Sequence, residues 1–158
     1  MSTTNATVMY ENFEHTTDGK GPIQSIASVP LEFPTLKVQS LFHQAGDNIR
    51  FFPGIEAFPG NLILMWANTK GGKFIFNVPV SHVSFRFFIQ KNIYVYDALE
   101  AIFFDVNDKE VGRVMRSAKI EENYIDTIES PPSATKLASV QIISRGNSNA
   151  VNEFAMTL

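Results

Sequence analysis

Through the middle of the chain, apolar and polar positions alternate with a period of two. Between Lys73 and Val114 four segments follow one another, KFIFNVPV, HVSFRFFI, NIYVYDA and IFFDV, each rich in β-branched and aromatic residues. In the second, Val83, Phe85, Phe87 and Ile89 share one face, and Ser84, Arg86, Phe88 and Gln90 share the other. Alternate side chains of a pleated strand point to opposite faces, so this pattern predicts antiparallel strands with a buried side. Ile93 and Val95 oppose Tyr94 and Tyr96 in the same way, and Ile102, Phe104 and Val106 oppose Phe103 and Asp105. The Tyr94–Tyr96 pair, with Phe88 and Phe103 as neighbours, reads either as an exposed aromatic platform or as the second face of a buried strand. NDKEVG then supplies a polar turn back into GRVM.

The flanks continue the pattern with stronger punctuation. Val8 to Glu14 predicts a first strand, and Ile23 to Phe33, followed by Pro34, an edge meander broken by Pro30. Leu36 to Val38 with Leu41-Phe42 predicts a short strand, and Gln44 to Asn48 a turn. Leu62 to Ala67 predicts a strand joined through NTKGG to Phe74 to Val80 as a hairpin. Leu137 to Ser144 and Val151 to Leu158 form the closing pair around RGNSN. FFPGIEAFPG, Phe51 to Gly60, holds two Pro-Gly pairs, which predict type II turns in a stiff loop carrying aromatic rings. Ser117 to Pro132 reads as a long acidic loop. Tyr96 to Phe103 is the one helix candidate, and its aromatic density favours a bent strand instead. About nine short strands with regular turn signals and minimal helix predict an all-β fold, an antiparallel two-sheet β-sandwich. Residues 1–7 read as a polar tail and residues 8–158 as a single domain.

Composition narrows the functional classes. The 158 residues are 44% hydrophobic and 18% charged, which suits a folded domain rather than a disordered one. The 14 phenylalanines, against one Trp and four Tyr, assign most of the rings to a core. A net charge of −3 with dispersed basic residues argues against a nucleic-acid partner. With no cysteine there is no disulfide, thiolate nucleophile or Cys-ligated metal. MSTTNATVMYENFEH carries neither the basic nor the apolar region of a Sec signal, and no apolar run is long enough to span a bilayer. The expectation is no membrane insertion, and a location that is cytoplasmic or reached by another export route.

A string of short motifs resembles the galactose-binding-like jelly roll of bacterial carbohydrate-binding modules. Asn12-Phe13-Glu14 is similar to the Phe-Glu that ends their first strand, and Gly60-Asn61-Leu62 to the Gly-Asn that leads into their central sheet. Phe76-Asn77-Val78-Pro79-Val80 followed by Val83-Ser84-Phe85 resembles their strand, Pro-Val turn and next core strand. Val95-Tyr96-Asp97 through Gly112, and the closing pair VQIIS and AVNEFAMTL, complete a likeness that covers nearly the whole chain. The resemblance implies a jelly roll, a carbohydrate or glycoconjugate partner, and a structural calcium between first and last strands. Its ligands would come from Glu11 or Glu14 and from Asn152 or Glu153. The neutral Asn152 stands where the family usually has Asp, and a lost carboxylate weakens a calcium site.

Sugar sites combine a ring stacked on the apolar face of a pyranose with a few placed polar groups. The candidate rings are Phe52 and Phe58 in the double Pro-Gly segment and Tyr124 in the acidic loop, with Trp66 on the intervening strand. Asn68, Asp126, Arg145 and Asn147 are the candidate polar groups, together with Arg86. Phe52 and Phe58 read more readily as plugs for an open end of the sandwich, and Trp66 as core. No catalytic constellation emerges. His15, His43 and His82 lack metal spacing, no Ser sits in a nucleophile elbow, and DVNDKEVG lacks the register of an EF-hand loop. The expectation is therefore a noncatalytic, lectin-like protein. The alternative is a protein-interaction or structural sandwich, pairing with a partner or with itself and binding no sugar.

Overall fold

The computed structural model describes residues 6–27, 29–41, 49–65, 70–145 and 148–158. Every regular element among them is a strand. In chain order these are β1 (Val8–Glu11), β2 (Gln24–Ile26), β3 (Leu31–Glu32), β4 (Leu36–Ser40), β5 (Ile49–Phe52), β6 (Leu62–Met65) and β7 (Lys70–Val80). They continue with β8 (His82–Ile89), β9 (Asp97–Asp105), β10 (Glu110–Ser117), β11 (Tyr124–Glu129), β12 (Leu137–Ser144) and β13 (Asn149–Thr157). Two antiparallel sheets result. One runs β11-β8-β13-β6-β5-β2, with β1 also on β13, and the other runs β10-β9-β12-β7-β4-β3. The all-β, two-sheet antiparallel sandwich is the architecture that the alternation predicts.

The core lies between the sheets and is built on phenylalanine. Phe154 of β13 stacks on Phe74 of β7 from one sheet and on Phe85 of β8 from the other, each at 5.0 Å between centroids. Phe13 meets Phe154 edge-on at 5.7 Å, Phe33 meets Phe13 at 4.9 Å, and Phe51 meets Phe33 at 5.0 Å. All six rings are buried. Such edge and offset contacts add to the area that the rings bury.

β13 organises its sheet. One edge pairs with β8 along its length, while the other takes β6 at Asn149 to Val151 and β1 at Phe154 to Thr157. Its sequence VNEF breaks the period of two, since Val151 and Phe154 both face the core. A bulge resolves the conflict: the register against β8 shifts between Asn152 and Ala155, and Glu153 takes φ 48°. One extra residue restores the inward direction for Phe154 and leaves Asn152 on the opposite face.

Several local expectations do not hold. β6 and β7 form no hairpin: β6 pairs with β5 and β13, and β7 with β4 and β12 in the other sheet. NIYVY is no strand. Ile93, Tyr94 and Val95 are exposed, and its backbone bonds the loop after β10 through Asn92 N–H to Lys119 O (2.9 Å) and Ala118 N–H to Tyr96 O (3.0 Å). The acidic segment contains β11, an edge strand paired with β8 from Tyr124–Ile89 to Glu129–Ser84. Phe51 and Phe52 belong to β5, so the aromatic loop begins at Pro53. The 13 strands exceed the expected nine because short edge strands such as β2 and β3 bury few side chains and leave little apolar signal. The turn expected over Gln44 to Asn48, and His43, Trp66, Asn68 and Asn147, lie outside the described residues.

The β9–β10 turn shows how one carboxylate closes a hairpin. Asp105 Oδ1 accepts the backbone N–H of Asn107 (2.9 Å) and Lys109 (3.0 Å), and Oδ2 accepts the Thr135 hydroxyl (2.9 Å). Asp108 takes the left-handed φ of 60° that the turn needs. The Lys109 N–H, followed by Thr135 and Asn107 and against the opposing effect of desolvation, holds the Asp105 carboxyl below the ordinary carboxylate value. A depressed folded pKa adds stability above the unfolded value and loses it as pH falls through the folded value. Asp105→Asn is accordingly expected to lower the melting temperature at neutral pH. It should also flatten the decline below about pH 4. Thermal melts from pH 7 to pH 2 check this, and an acid limb as steep as that of the parent chain would refute it.

Candidate functional site

The outer face of the first sheet is not the polar surface that solvent-facing strand positions normally give. Cross-strand register lines up Ser25, Arg50, Leu64, Ala150, Phe88 and Ile125 in one transverse row. Leu64, Ala150 and Phe88 in that row are buried, although they point away from the core. What covers them is the double Pro-Gly loop, 53–60. Phe58, wholly buried, lies nearly parallel to Phe88 at 5.9 Å, and the Arg86 guanidinium stands 5.4 Å from the Phe58 ring centre. Leu62, Phe52 and Ile55 complete this second, smaller apolar cluster.

The loop holds its shape through local chemistry. Ile55 and Phe58 exchange backbone hydrogen bonds of 3.2 and 3.0 Å across Glu56-Ala57. Gly60 takes φ 94°, as a Pro-Gly type II turn requires. Gly54 does not need a positive φ; it is glycine because a Cβ there would lie 2.5 Å from Gly60 N and 2.8 Å from Gly60 O. The two glycines therefore stitch the ends of the loop together.

Between this loop and the end of β8 a cleft of 340 Å³ opens on the sheet face, lined by Arg50, Phe52, Ile55, Leu64, Phe88, Gln90 and Ser148. That size falls at the lower end of small-molecule sites. The floor is apolar, from Phe52, Ile55, Leu64 and Phe88. The rim is polar. Gln90 Oε1 accepts the Ser148 N–H at 3.3 Å and the Gln90 N–H bonds Ser148 O at 3.3 Å, which orients the amide with its Nε2 donors available. A larger opening of 510 Å³ beside β3 and β4, running from Thr16 to Asp18 and from Val29 to Glu32 with Lys37, carries no aromatic side chain for stacking among the described residues.

The residues singled out from sequence are dispersed. Phe52 lines the cleft, half-buried, while Phe58 lies beneath the loop as part of its packing. Tyr124 is half-buried rather than free: its ring meets Phe87 edge-on at 5.0 Å, under Lys119 Nζ at 4.1 Å. Asp126 is exposed on the edge strand β11, its Oδ1 accepting the Thr127 N–H. Arg145 belongs to the other sheet, with Nη2 3.5 Å from Glu100 Oε2. Asn68 and Asn147 fall outside the described residues. Arg50, Leu64, Phe88, Gln90 and Ser148 went unnamed as ligand contacts. The available signal was Phe88, an apolar residue on the otherwise polar face of Ser84, Arg86 and Gln90.

The four candidate calcium ligands do not form one donor set. Glu11 is buried, and both of its oxygens are engaged: Oε2 accepts Phe13 N–H at 3.1 Å, and Oε1 accepts Thr35 N–H at 3.0 Å and Thr35 Oγ1 at 2.9 Å. Glu14 is exposed and lines a 220 Å³ cleft with Glu11 that neither Asn152 nor Glu153 reaches. Glu153 faces Arg86 at 3.4 Å. Asn152 is buried with Oδ1 unpartnered among the described residues. The Asn61 amide donates to Phe13 O (2.8 Å) and Glu14 O (3.3 Å), so a protein donor already occupies the carbonyls beside Glu11. Among the described residues no three acidic, His or Cys side chains converge. This donor set fits hydrogen-bonded closure better than an oxygen cage for a cation.

No protein-family model matches the chain, and no curated protein matches it in sequence. Solved structures do match. The K3 cleaved adhesin domain of Lys-gingipain from Porphyromonas gingivalis superimposes with a TM-score of 0.52 at 10% identity, over 87% of this chain and 100% of that one. The shared fold is the antiparallel two-sheet β-sandwich. Carbohydrate-binding modules are similar to this jelly roll too. TmCBM61, in complex with β-1,4-galactotriose, has a TM-score of 0.48 at 10% identity over 80% of this chain and 91% of that one. A CBM29-2 variant complexed with mannohexaose has a TM-score of 0.48 at 6% identity over 98% and 93%. At 10% identity the likeness to the adhesin domain is one of fold alone and leaves function to the chemistry of the cleft. No helix among the described residues is long and apolar enough to cross a membrane.

Proposed function

We propose that this jelly roll is a noncatalytic, lectin-like protein that binds carbohydrate or a glycoconjugate in the cleft on the outer face of its first sheet. The observation that carries the reading is a concave, aromatic-floored site with a sparse polar rim on a rigid sheet. Phe52, half-buried at the cleft, offers a ring to the C–H face of a pyranose above an apolar floor that includes Phe88, while Arg50, Gln90 and Ser148 offer donors to its hydroxyls. Strand-borne side chains hold such a geometry more firmly than loop-borne ones. Calcium has no part in this reading, because Glu11 already has protein donors at both oxygens.

A glycan array probed with calcium and with chelator tests the proposal, followed by calorimetry on any hit. Phe52→Ala should weaken binding by about tenfold, since an aromatic contact that matters is worth more than about 1 kcal/mol. Its half-buried position predicts little change in the melting temperature. Binding to no glycan in either condition would sink the reading.

One observation favours a second reading, a protein-interaction module. Ile93, Tyr94 and Val95 are 75%, 71% and 61% exposed, and Ile120, on the loop bonded to theirs through Lys119, is 55% exposed. Clustered apolar exposure of this kind marks contact surfaces. A negative array together with concentration-dependent self-association in sedimentation would favour that reading.

A further inference from the structure

Among the described residues the cleft holds one charged side chain, Arg50, and its setting differs from that of the other arginines. Acidic residues outnumber Lys and Arg by 16 to 13, and three of the five arginines face carboxylates. Arg86 faces Glu153, Arg113 faces Glu100 and Glu110, and Arg145 faces Glu100. Arg116 donates to the backbone of Met115. Arg50 alone among the five arginines has neither an ion pair nor a side-chain hydrogen bond among the described residues. Its cross-strand neighbours, Ser25 and Leu64, are both neutral.

A half-buried guanidinium beside an apolar floor is costly unless something completes it. Its planar fork fits an oxyanion with two parallel hydrogen bonds, which a hydroxyl cannot reproduce. Resting on the carbohydrate reading above, we infer that the ligand is an anionic sugar, one bearing a carboxylate or a sulfate, with Arg50 holding the anion while Phe52 supports the ring. Gln90 Nε2 and Ser148 Oγ then serve the neighbouring hydroxyls. Selectivity for the charged sugar resides in Arg50, because no other cation among the described residues lines the cleft.

Calorimetry on the full chain tests this with an oligouronate, a sulfated oligosaccharide, and the carboxyl-reduced and desulfated counterparts of each. The expected result is at least about tenfold tighter binding of one charged form over its neutral counterpart, as charge-assisted bonds of this kind imply. That preference should shrink as salt is raised. Arg50→Gln should abolish the preference, so that the charged and neutral forms bind alike. Arg50→Lys should restore part of it, since the charge returns without the fork. Melting curves confirm that both variants fold. Equal binding of charged and neutral forms, unmoved by Arg50→Gln, overturns this inference and leaves the carbohydrate reading intact. Failure to bind any of the four by a chain that binds a neutral glycan on the array does the same. A chain that binds no glycan at all, yet binds a long-chain carboxylate through Arg50, overturns both.

Discussion

Phe154→Ala is expected to remove about 3–5 kcal/mol of folding stability, the usual cost of truncating a buried phenylalanine. The upper part of that range follows from what surrounds the ring. Phe74 and Phe85 stack on its two sides from opposite sheets at 5.0 Å each, and Phe13 meets it edge-on at 5.7 Å. Phe74 and Phe85 sit on strands fixed by their own ladders, so they cannot close in on the space left behind. The residual cavity therefore adds to the lost transfer energy. A domain of ordinary stability has about 5–15 kcal/mol in total, so the variant should sit close to unfolding at body temperature. In urea melts followed by circular dichroism, the midpoint should fall sharply with little change in slope. Phe154→Leu, which keeps most of the volume, should recover more than half of the loss. A loss below about 1 kcal/mol for the alanine variant would mean that Phe154 is not the joint between the two sheets.

The bulge makes that joint possible, and it marks the limit of what a period of two reveals. Strict alternation from Val151 would turn Glu153 inward and Phe154 outward. Glu153 in the left-handed region reverses this, at a backbone cost that three aromatic contacts offset. Periodicity reports which face a strand buries, so the sandwich was readable wherever one face is dry, as in β8. It misleads where burial and alternation part company. NIYVY has strand-like residues but no neighbouring edge to pair with, and its backbone bonds a loop instead. β11 has an edge but only Ile128 fully buried, so its acidic residues read as loop. The β6–β7 hairpin failed for another reason: consecutive strands can cross from one sheet to the other, and composition does not say which.

The cleft was less legible than the fold. Its row from Arg50 to Phe88 is assembled from β5, β6, β13 and β8, whose contributions are far apart in sequence and carry no shared motif. Local cues existed at two points. Phe88 stands on a polar face, and Leu62 to Met65 are buried on both faces, which a single core cannot explain. A second apolar cluster outside the sandwich accounts for both. Both rings of the double Pro-Gly segment read more readily as plugs than as ligand contacts; Phe58 is the buried wedge that seats the loop, whereas Phe52 lines the cleft half-buried. Burial separates these two phenylalanines, and burial depends on partners that the segment itself does not contain.

Glu11→Ala is the second large effect, with an expected loss of about 3 kcal/mol, from two backbone N–H groups and one hydroxyl deprived of a shared acceptor. The carboxylate at the end of β1 reaches Phe13, whose φ of 54° turns the chain, and Thr35, in the connection between β3 and β4 of the opposite sheet. It thus ties the first strand across both layers at one end of the sandwich. Glu11→Gln keeps one carbonyl oxygen but offers an amide N–H where an acceptor is needed, so it should recover only a minority of the stability. Chelator discriminates this role from a metal-holding one. If protein donors saturate Glu11, the parent melting temperature should stay within about 1 °C on adding chelator or calcium, a shift well below the 2–4 °C that each kcal/mol produces in a domain of this size. A larger chelator-induced drop in the parent, absent from Glu11→Ala, would make Glu11 a calcium ligand and reverse the assignment. Glu14→Ala serves as the companion variant. Its exposed side chain makes no hydrogen bond among the described residues, so the melting temperature should move by less than about 1 °C if no cation is held there.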